Sequence, residues 1–370
     1  MKKFWLGKCA ALLIFVISSC AVHSQSYIQL EPLGEVIIPY NYSQNGTPVG
    51  GLSGLAYDAR ADKYYVVSDD RSELAAARFY TFSVQLNEDG RLDEQGINLK
   101  EVTFLKSPDG NKYKINTIDP EGISMGPDSL LYISSEGGRN KSTAPFIQGY
   151  TKEGSFARAF GMPGAYWSQI KADRAEQGIR TNLAFESLTL SPDGQSLYAA
   201  TENALMQDGA AADSSSPSPA RIIVYDLQTG KMMHEYQYMV DEVQVLPGKR
   251  GPFAVNGLSD LLALDNEGRL LALERSYVQG QGNHIMLYDV SIKSATDLKG
   301  VASMDDHKSI TPVTKRPVAN LGDYNITMDN YEGLVLGPEL PGGGRLLLIV
   351  SDNNFSEVQQ TVFAAFRLHM

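Results

Sequence analysis

Cysteine is almost missing from this chain. Of 370 residues only Cys9 and Cys20 are cysteines, and both fall within the first 20 positions. Everything downstream therefore lacks a disulfide, a thiolate nucleophile and a cysteine metal site. Histidine is sparse too: His234, His284, His307 and His369 stand apart, without the close pairing that a zinc site needs. Trp5 lies near the start and leaves Trp167 alone, so there is no set of tryptophans for stacking sugars. After residue 24 no run is long and apolar enough to cross a bilayer as a helix. Positive charge is short as well, with 32 Lys and Arg against 43 Asp and Glu for a net charge of -11. Such a chain repels nucleic acid and anionic headgroups, but not cations. No Walker-type phosphate loop is present, and Gly51-Leu-Ser-Gly-Leu55 lacks the final glycine of a nucleophile elbow.

Residues 1–24 have a basic start, the apolar run AALLIFVIS and small residues after it, the pattern of an export signal. Its removal deletes Lys2, Lys3 and Lys8 and no acid, taking the remaining domain, 25–370, to a charge of about -14. Within the signal, Ile17-Ser18-Ser19-Cys20 resembles a lipobox, in which Cys20 would be acylated and anchor the domain. Cleavage near Ser24 is the other reading, and it discards Cys20. Either way the expected location is outside the cytoplasm: periplasmic, on the outer membrane as a lipoprotein, or secreted.

Five times the same phrase recurs: a short apolar strand, a turn, a second apolar strand and a closing acid. The copies begin at Gly51, Pro120, Phe185, Gly257 and Tyr331, about 65 to 75 residues apart. That spacing suits four short strands with their turns, and a repeat of this kind predicts an all-β chain folded as a β-propeller. The last copy has only three strands before Met370, while Tyr27–Pro39 is an unattached strand at the front. Pairing the two closes a ring of five blades and hides two sheet edges. A sixth, degenerate blade between Tyr288 and Asn320 stays open as an alternative. Three insertions break the rhythm: 163–178, with a helix-like stretch over 166–176, then 206–220, and 304–316.

Packing keeps apolar positions in phase, but it does not require carboxylates to stay in phase. Here the opening position carries Glu121, Glu186 and Glu332, with Asp260 nearby in the fourth copy and Ser53 in the first. The closing position carries Asp69 or Asp70, Glu136, Glu202, Glu274 and Asp352. Equivalent ends of successive blades converge on one mouth of a propeller, so these acids are expected to form a ring. Crowded carboxylates either take up protons or hold a cation. Calcium, with its six to eight oxygen ligands, suits such a set. The plainer alternative is that the acids are solvated strand ends that bind turn amides. Arg71, Arg139 and Arg275 follow closing acids and Arg180 precedes Glu186. They either hold an anionic substrate or neutralise the acids beside them.

Several stretches resemble the phytase-like family of bacterial exported proteins: Gly51-Leu-Ser-Gly-Leu-Ala-Tyr-Asp58 with Val67-Ser-Asp-Asp-Arg71, Asp119-Pro-Glu-Gly-Ile-Ser124, and Phe185-Glu-Ser-Leu-Thr-Leu190. Leu258-Ser-Asp-Leu-Leu262 and Glu332-Gly-Leu-Val-Leu-Gly337 with Val350-Ser-Asp-Asn-Asn-Phe355 continue it. The chain departs from the family at Phe-Glu-Ser, where Phe-Glu-Gly is usual, and lacks the Asp-rich signatures of calcium phytases. The resemblance implies a β-propeller and hydrolysis of ester or phosphoester bonds. On this reading Glu121, Glu186 and Glu332 are catalytic. Asp69, Glu136, Glu202, Glu274 and Asp352 hold calcium, and Arg71, Arg139, Arg180 and Arg275 hold a small anionic substrate. The expected partner is that substrate alone, with a monomeric chain that meets a membrane only through a lipid anchor. Two alternatives remain, a non-catalytic cell-surface binding propeller and a lactonase-like calcium hydrolase.

Overall fold

A computed structural model describes Met1 and residues 27–138, 143–167, 169–171, 174–244 and 253–370, with the backbone alone described for 169–171 and 174–176. The signal, Cys20 and Arg139 lie outside the described residues. The chain is an all-β propeller of five four-stranded blades. Blade 1 holds Leu52–Asp58, Lys63–Ser68, Arg78–Leu86 and Leu92–Phe104. Blade 2 holds Pro120–Met125, Leu131–Ser135, Phe146–Tyr150 and Phe156–Ala159. Blade 3 follows with Phe185–Leu190, Ser196–Thr201, Ser218–Asp226 and Met232–Val240. Blade 4 consists of Ala254–Ala263, Arg269–Val278, Gly282–Ser291 and Thr314–Asn320. Blade 5 takes Asn330–Glu339, Arg345–Asp352 and Thr361–His369 and completes itself with Gln29–Ile38, paired antiparallel to the last strand.

That pairing is the expected closure, and no sixth blade forms among the described residues. The ends of the segment proposed for it belong to blade 4, and the stretch between, 292–313, runs along the outer edge of blade 3, where Leu298 and Val313 donate to the carbonyls of Glu235 and Gln237. The five apolar cores lie between blades. One joins Leu348 and Phe363 of blade 5 to Tyr64 and Phe82 of blade 1, and the others repeat this around the ring. Each blade buries both faces, which is why its second strand reads as a near-continuous apolar run.

The helix-like stretch over 166–176 is not a helix. A 3-10 turn at Gly164–Tyr166 leads into a small hairpin, Gln169–Lys171 with Arg174–Gln177. Buried Arg221 ties the insertions down. It forks onto both oxygens of Asp208 at 2.6 and 2.8 Å, reaches Glu235 at 2.9 Å and donates to the carbonyl of Val301 at 2.9 Å. Tyr166 donates to the same Glu235.

The inner strands meet backbone to backbone near the axis. A Cβ on Gly54 would stand 2.5 Å from the carbonyl oxygen of Glu121, and one on Gly122 2.8 Å from that of Glu186. Backbone cannot yield as a side-chain tip can, so Gly54→Ala should cost about 1–3 kcal/mol by overpacking. Gly161→Ala has nothing within 4 Å and should change little. Urea unfolding of the two variants checks this, and equal midpoints would mean that the strands do not approach so closely.

Candidate functional site

A single-residue bulge opens the inner strand of every blade. The ladder slips between Leu52 and Gly54, Pro120 and Ile123, Phe185 and Ser187, Leu258 and Asp260, and Tyr331 and Gly333. The bulged residues are Ser53, Glu121, Glu186, Ser259 and Glu332. A bulge breaks strict alternation and re-aims a side chain, which is how three glutamates come to project at the axis. The fourth copy offers Ser259 at this position and not Asp260. Asp260 instead accepts the amides of Leu261 and Leu334 at 2.8 and 2.7 Å, so it stitches backbone across the channel floor.

The closing ring is fixed by the same register. Asp69, Glu136 and Glu202 donate their amides to the carbonyls of Gly51, Asp119 and Ala184, and Asp352 pairs with Asn330. The residue in this place in blade 4 is Arg275, opposite Gly257. Glu274 therefore stands one residue out of phase, alongside Ser68, Ser135, Thr201 and Ser351, and faces away from the cluster. It lies with Lys315, accepts from Tyr238 at 2.8 Å and takes Asn256 Nδ2 at 2.9 Å. Asp70 is out of phase in the same way. It binds Arg78 at 2.7 Å and caps the amides of Glu73, Leu74 and Ala75.

Asp69, Glu121, Glu136, Glu186, Glu202, Glu332 and Asp352 thus meet at one mouth, joined by Asp119. The sequence hid Asp119 because only one copy of the repeat carries an acid there. Its place opposite Glu136 is the signal that a register would have supplied. Glycine makes room elsewhere: a Cβ on Gly51 would fall 2.0 Å from Asp69 Oδ1, and one on Gly257 2.1 Å from Glu202 Oε1.

Two guanidinium groups stand among these eight carboxylates. Arg275 reaches Glu202 and Glu332 at 3.3 and 3.2 Å, and Arg71 holds Asp119 at 2.5 Å and Asn182 at 3.0 Å. The imbalance shows in the titration of the acids. Burial first, then the charge of Glu332, pushes Asp69 up to about 7. Burial and Glu136 push Asp119 up to about 8. Burial raises Glu136 and Glu202 to about 7 against the pull of Arg71 and Arg275. Burial first, then the neighbouring acids, drives Glu121, Glu186 and Asp352 well above the carboxylate range, with Glu186 acting on Glu121, Glu202 on Glu186 and Asp69 on Asp352. One oxygen each from Asp119, Glu121 and Glu136 lies within 4.8 Å of the others, and buried Asp119 Oδ1 has no hydrogen-bond partner.

A tight turn, Arg180–Leu183, projects at the mouth and separates two clefts. Its Asn182 is left-handed at φ 56°. On one side a cavity of about 210 Å³ is lined by Arg71, Asp119, Glu136, Trp167 and Arg180. Arg180 donates to the carbonyls of Ala204, at 3.0 Å, and Gly209, with no carboxylate partner among the described residues. On the other side a cavity of about 810 Å³ has Glu202, Arg275 and Glu332 among its lining.

The family described as phytase-like, with esterase-like activity of phytase, matches residues 47–355, a span that holds every residue of this mouth. The chain belongs to the phytase-like family. It is 30% identical over 142 residues to an uncharacterized secreted protein of Arthroderma benhamiae, a match covering 32% of this chain and only 26% of that relative. Among solved structures it is similar to the Dos1 propeller, at 9% identity and a TM-score of 0.35, covering 86% of this chain and 68% of that one. It is also similar to a xylan β-1,4-xylosidase from Bacillus halodurans, at 12% identity and a TM-score of 0.44, covering 88% and 54%. Likenesses this distant say nothing of chemistry. Among the described residues no helix is long and apolar enough to cross a membrane.

Carboxylates whose pKa is raised by folding favour the native state while they keep their protons. That contribution is complete near pH 4 and is lost as pH rises through about 7 to 8. In chelator the melting temperature should therefore be several degrees higher at pH 5 than at pH 8. Arg275→Met should steepen the fall, and a flat profile in both proteins would contradict the shared burial of these acids.

Proposed function

We propose that this chain is an exported, calcium-dependent hydrolase of ester or phosphoester bonds, working at the acidic mouth of the propeller. The observation that carries the reading is the group of eight carboxylates facing two guanidiniums in a buried space. Charge of one sign at that density calls for protons or a cation. The donors are all oxygen, and neither His nor Cys belongs to the group, which suits calcium and not zinc. Asp119, Glu121 and Glu136 would hold the ion, with its charge set against the oxygen anions that develop in ester cleavage.

The chain's own groups would do the rest. Glu186 stands between Glu136 and Glu202, and burial with the charges of Glu202 and Glu136 raises its pKa well above the carboxylate range, the direction that suits a group protonating a departing oxygen. Glu202, pushed up to about 7, exchanges a proton at the same pH. Arg180 has no carboxylate partner among the described residues, and with Arg71 it would hold the negative end of a small substrate. The secreted relative agrees with export.

Isothermal titration with calcium, and turnover of p-nitrophenyl phosphate, its bis-ester and acyl esters in calcium or chelator, test the reading. Glu121→Gln with Glu136→Gln should weaken calcium binding at least about tenfold, since each removes a charged ligand, and abolish calcium-dependent turnover. Glu274→Gln should leave calcium affinity unchanged and lower stability, because it breaks a buried pair with Lys315. Calcium bound without turnover on any ester would leave a non-catalytic binding propeller. No calcium binding would refute the site.

A further inference from the structure

The larger cleft lies across the 180–183 turn from its neighbour, and Asn283, Asp329, Asn330, Asn354 and Gln359 line it together with apolar residues. Its floor is Glu202, Arg275 and Glu332, and it opens straight onto the acidic cluster. Part of its wall is apolar and bare. Phe253 is 57% exposed and Val358 90% exposed, with Met328 and Tyr277 completing that side. The ring centroids of Phe253 and Tyr277 are 6.2 Å apart, so the two rings form one surface. The mouth face gathers such side chains, with Leu74, Ile115 and Trp167 also exposed on its loops. The hairpin turns at the opposite face are polar instead, such as Asn87-Glu-Asp-Gly90 and Ser191-Pro-Asp-Gly194. Water-exposed apolar surface on a concave wall next to a charged floor marks a ligand groove.

We infer that this cleft receives the apolar chain of an amphiphilic ester whose charged end lies over the acids, an inference that rests on the hydrolase reading above. About 810 Å³ is room for a chain of medium length. The apolar residues line a concave, half-open cleft beside a charged floor and do not form a flat patch. That shape favours a narrow apolar tail over a protein surface.

Calorimetry with methylphosphonate and decylphosphonate, in calcium, tests this. Decylphosphonate should bind about tenfold more tightly or better, from the burial of its methylenes. The double variant Phe253→Ser, Val358→Ser should erase that advantage and leave methylphosphonate unchanged. Both positions are exposed, so its melting temperature should match the parent. Equal affinity for the two probes, binding of neither, or a chain-length gain that survives in the double variant would each overturn the inference. Binding of decylphosphonate alone, lost in the double variant, would keep the apolar cleft and reject the anion-holding role of Arg71 and Arg180.

Discussion

A bulge of one residue at the start of each inner strand is the constraint on which the rest depends. Without it, alternation would send the opening residue toward the neighbouring blade, and the closing residue would be one step out of phase. With it, the chain directs two residues per blade at the axis, ten places in all, and packing does not dictate what fills them. Blades 1, 2 and 5 follow the bulge with Gly54, Gly122 and Gly333, so their strands approach until backbone touches backbone. The acids are crowded because the strands are, and the closeness that closes the ring also makes carboxylates hard to ionise together.

Two kinds of buried charge result, and they behave differently. Arg221 with Asp208 and Glu235, Arg78 with Asp70, and Lys315 with Glu274 are matched pairs supplied with further hydrogen bonds. They hold insertions and loops to the blades, and removing one partner would strand the other. The central group is not matched in this way. Structural pairs settle their own charge locally, whereas the mouth leaves a surplus that something mobile must answer, and that surplus separates a site from a scaffold.

Much of this was legible in the residues alone. The period of the repeat yields five blades, and the short last copy together with the unattached front strand yields the closure. Phased acids at strand ends pointed to the mouth. Register was not legible, because a slip of one position is invisible in a string of letters and reverses every side chain beyond it. Glu274 and Arg275 are adjacent and equally polar, so only the pairing of Leu258 with Glu274 reveals that the arginine faces the channel. The hairpin over 169–177 reads as helix because its composition favours one, and tertiary placement overrode that preference. Asp119 is not marked by the repeat, because an acid at that position occurs in one copy of five.

Blade 4 is where the ring departs from its own pattern, and the departure gives the mouth its two sides. Its bulge carries Ser259, its next residue is Asp260 where other blades have Gly or Ser, and its closing residue is Arg275. Acid density is therefore greatest over blades 1 to 3, where Asp69, Asp119, Glu121, Glu136 and Glu186 lie. A cation occupies the opposite side between Glu202 and Glu332. A uniform ring of acids would attract a cation at its centre and treat all approaches alike. With one arginine in the ring, a positive guest would be displaced toward blade 2, away from Arg275, and the cleft over blade 4 keeps apolar side chains such as Phe253 and Tyr277 next to the site. The asymmetry of one blade can thus make the two sides of the mouth unlike on a fold whose backbone is nearly fivefold.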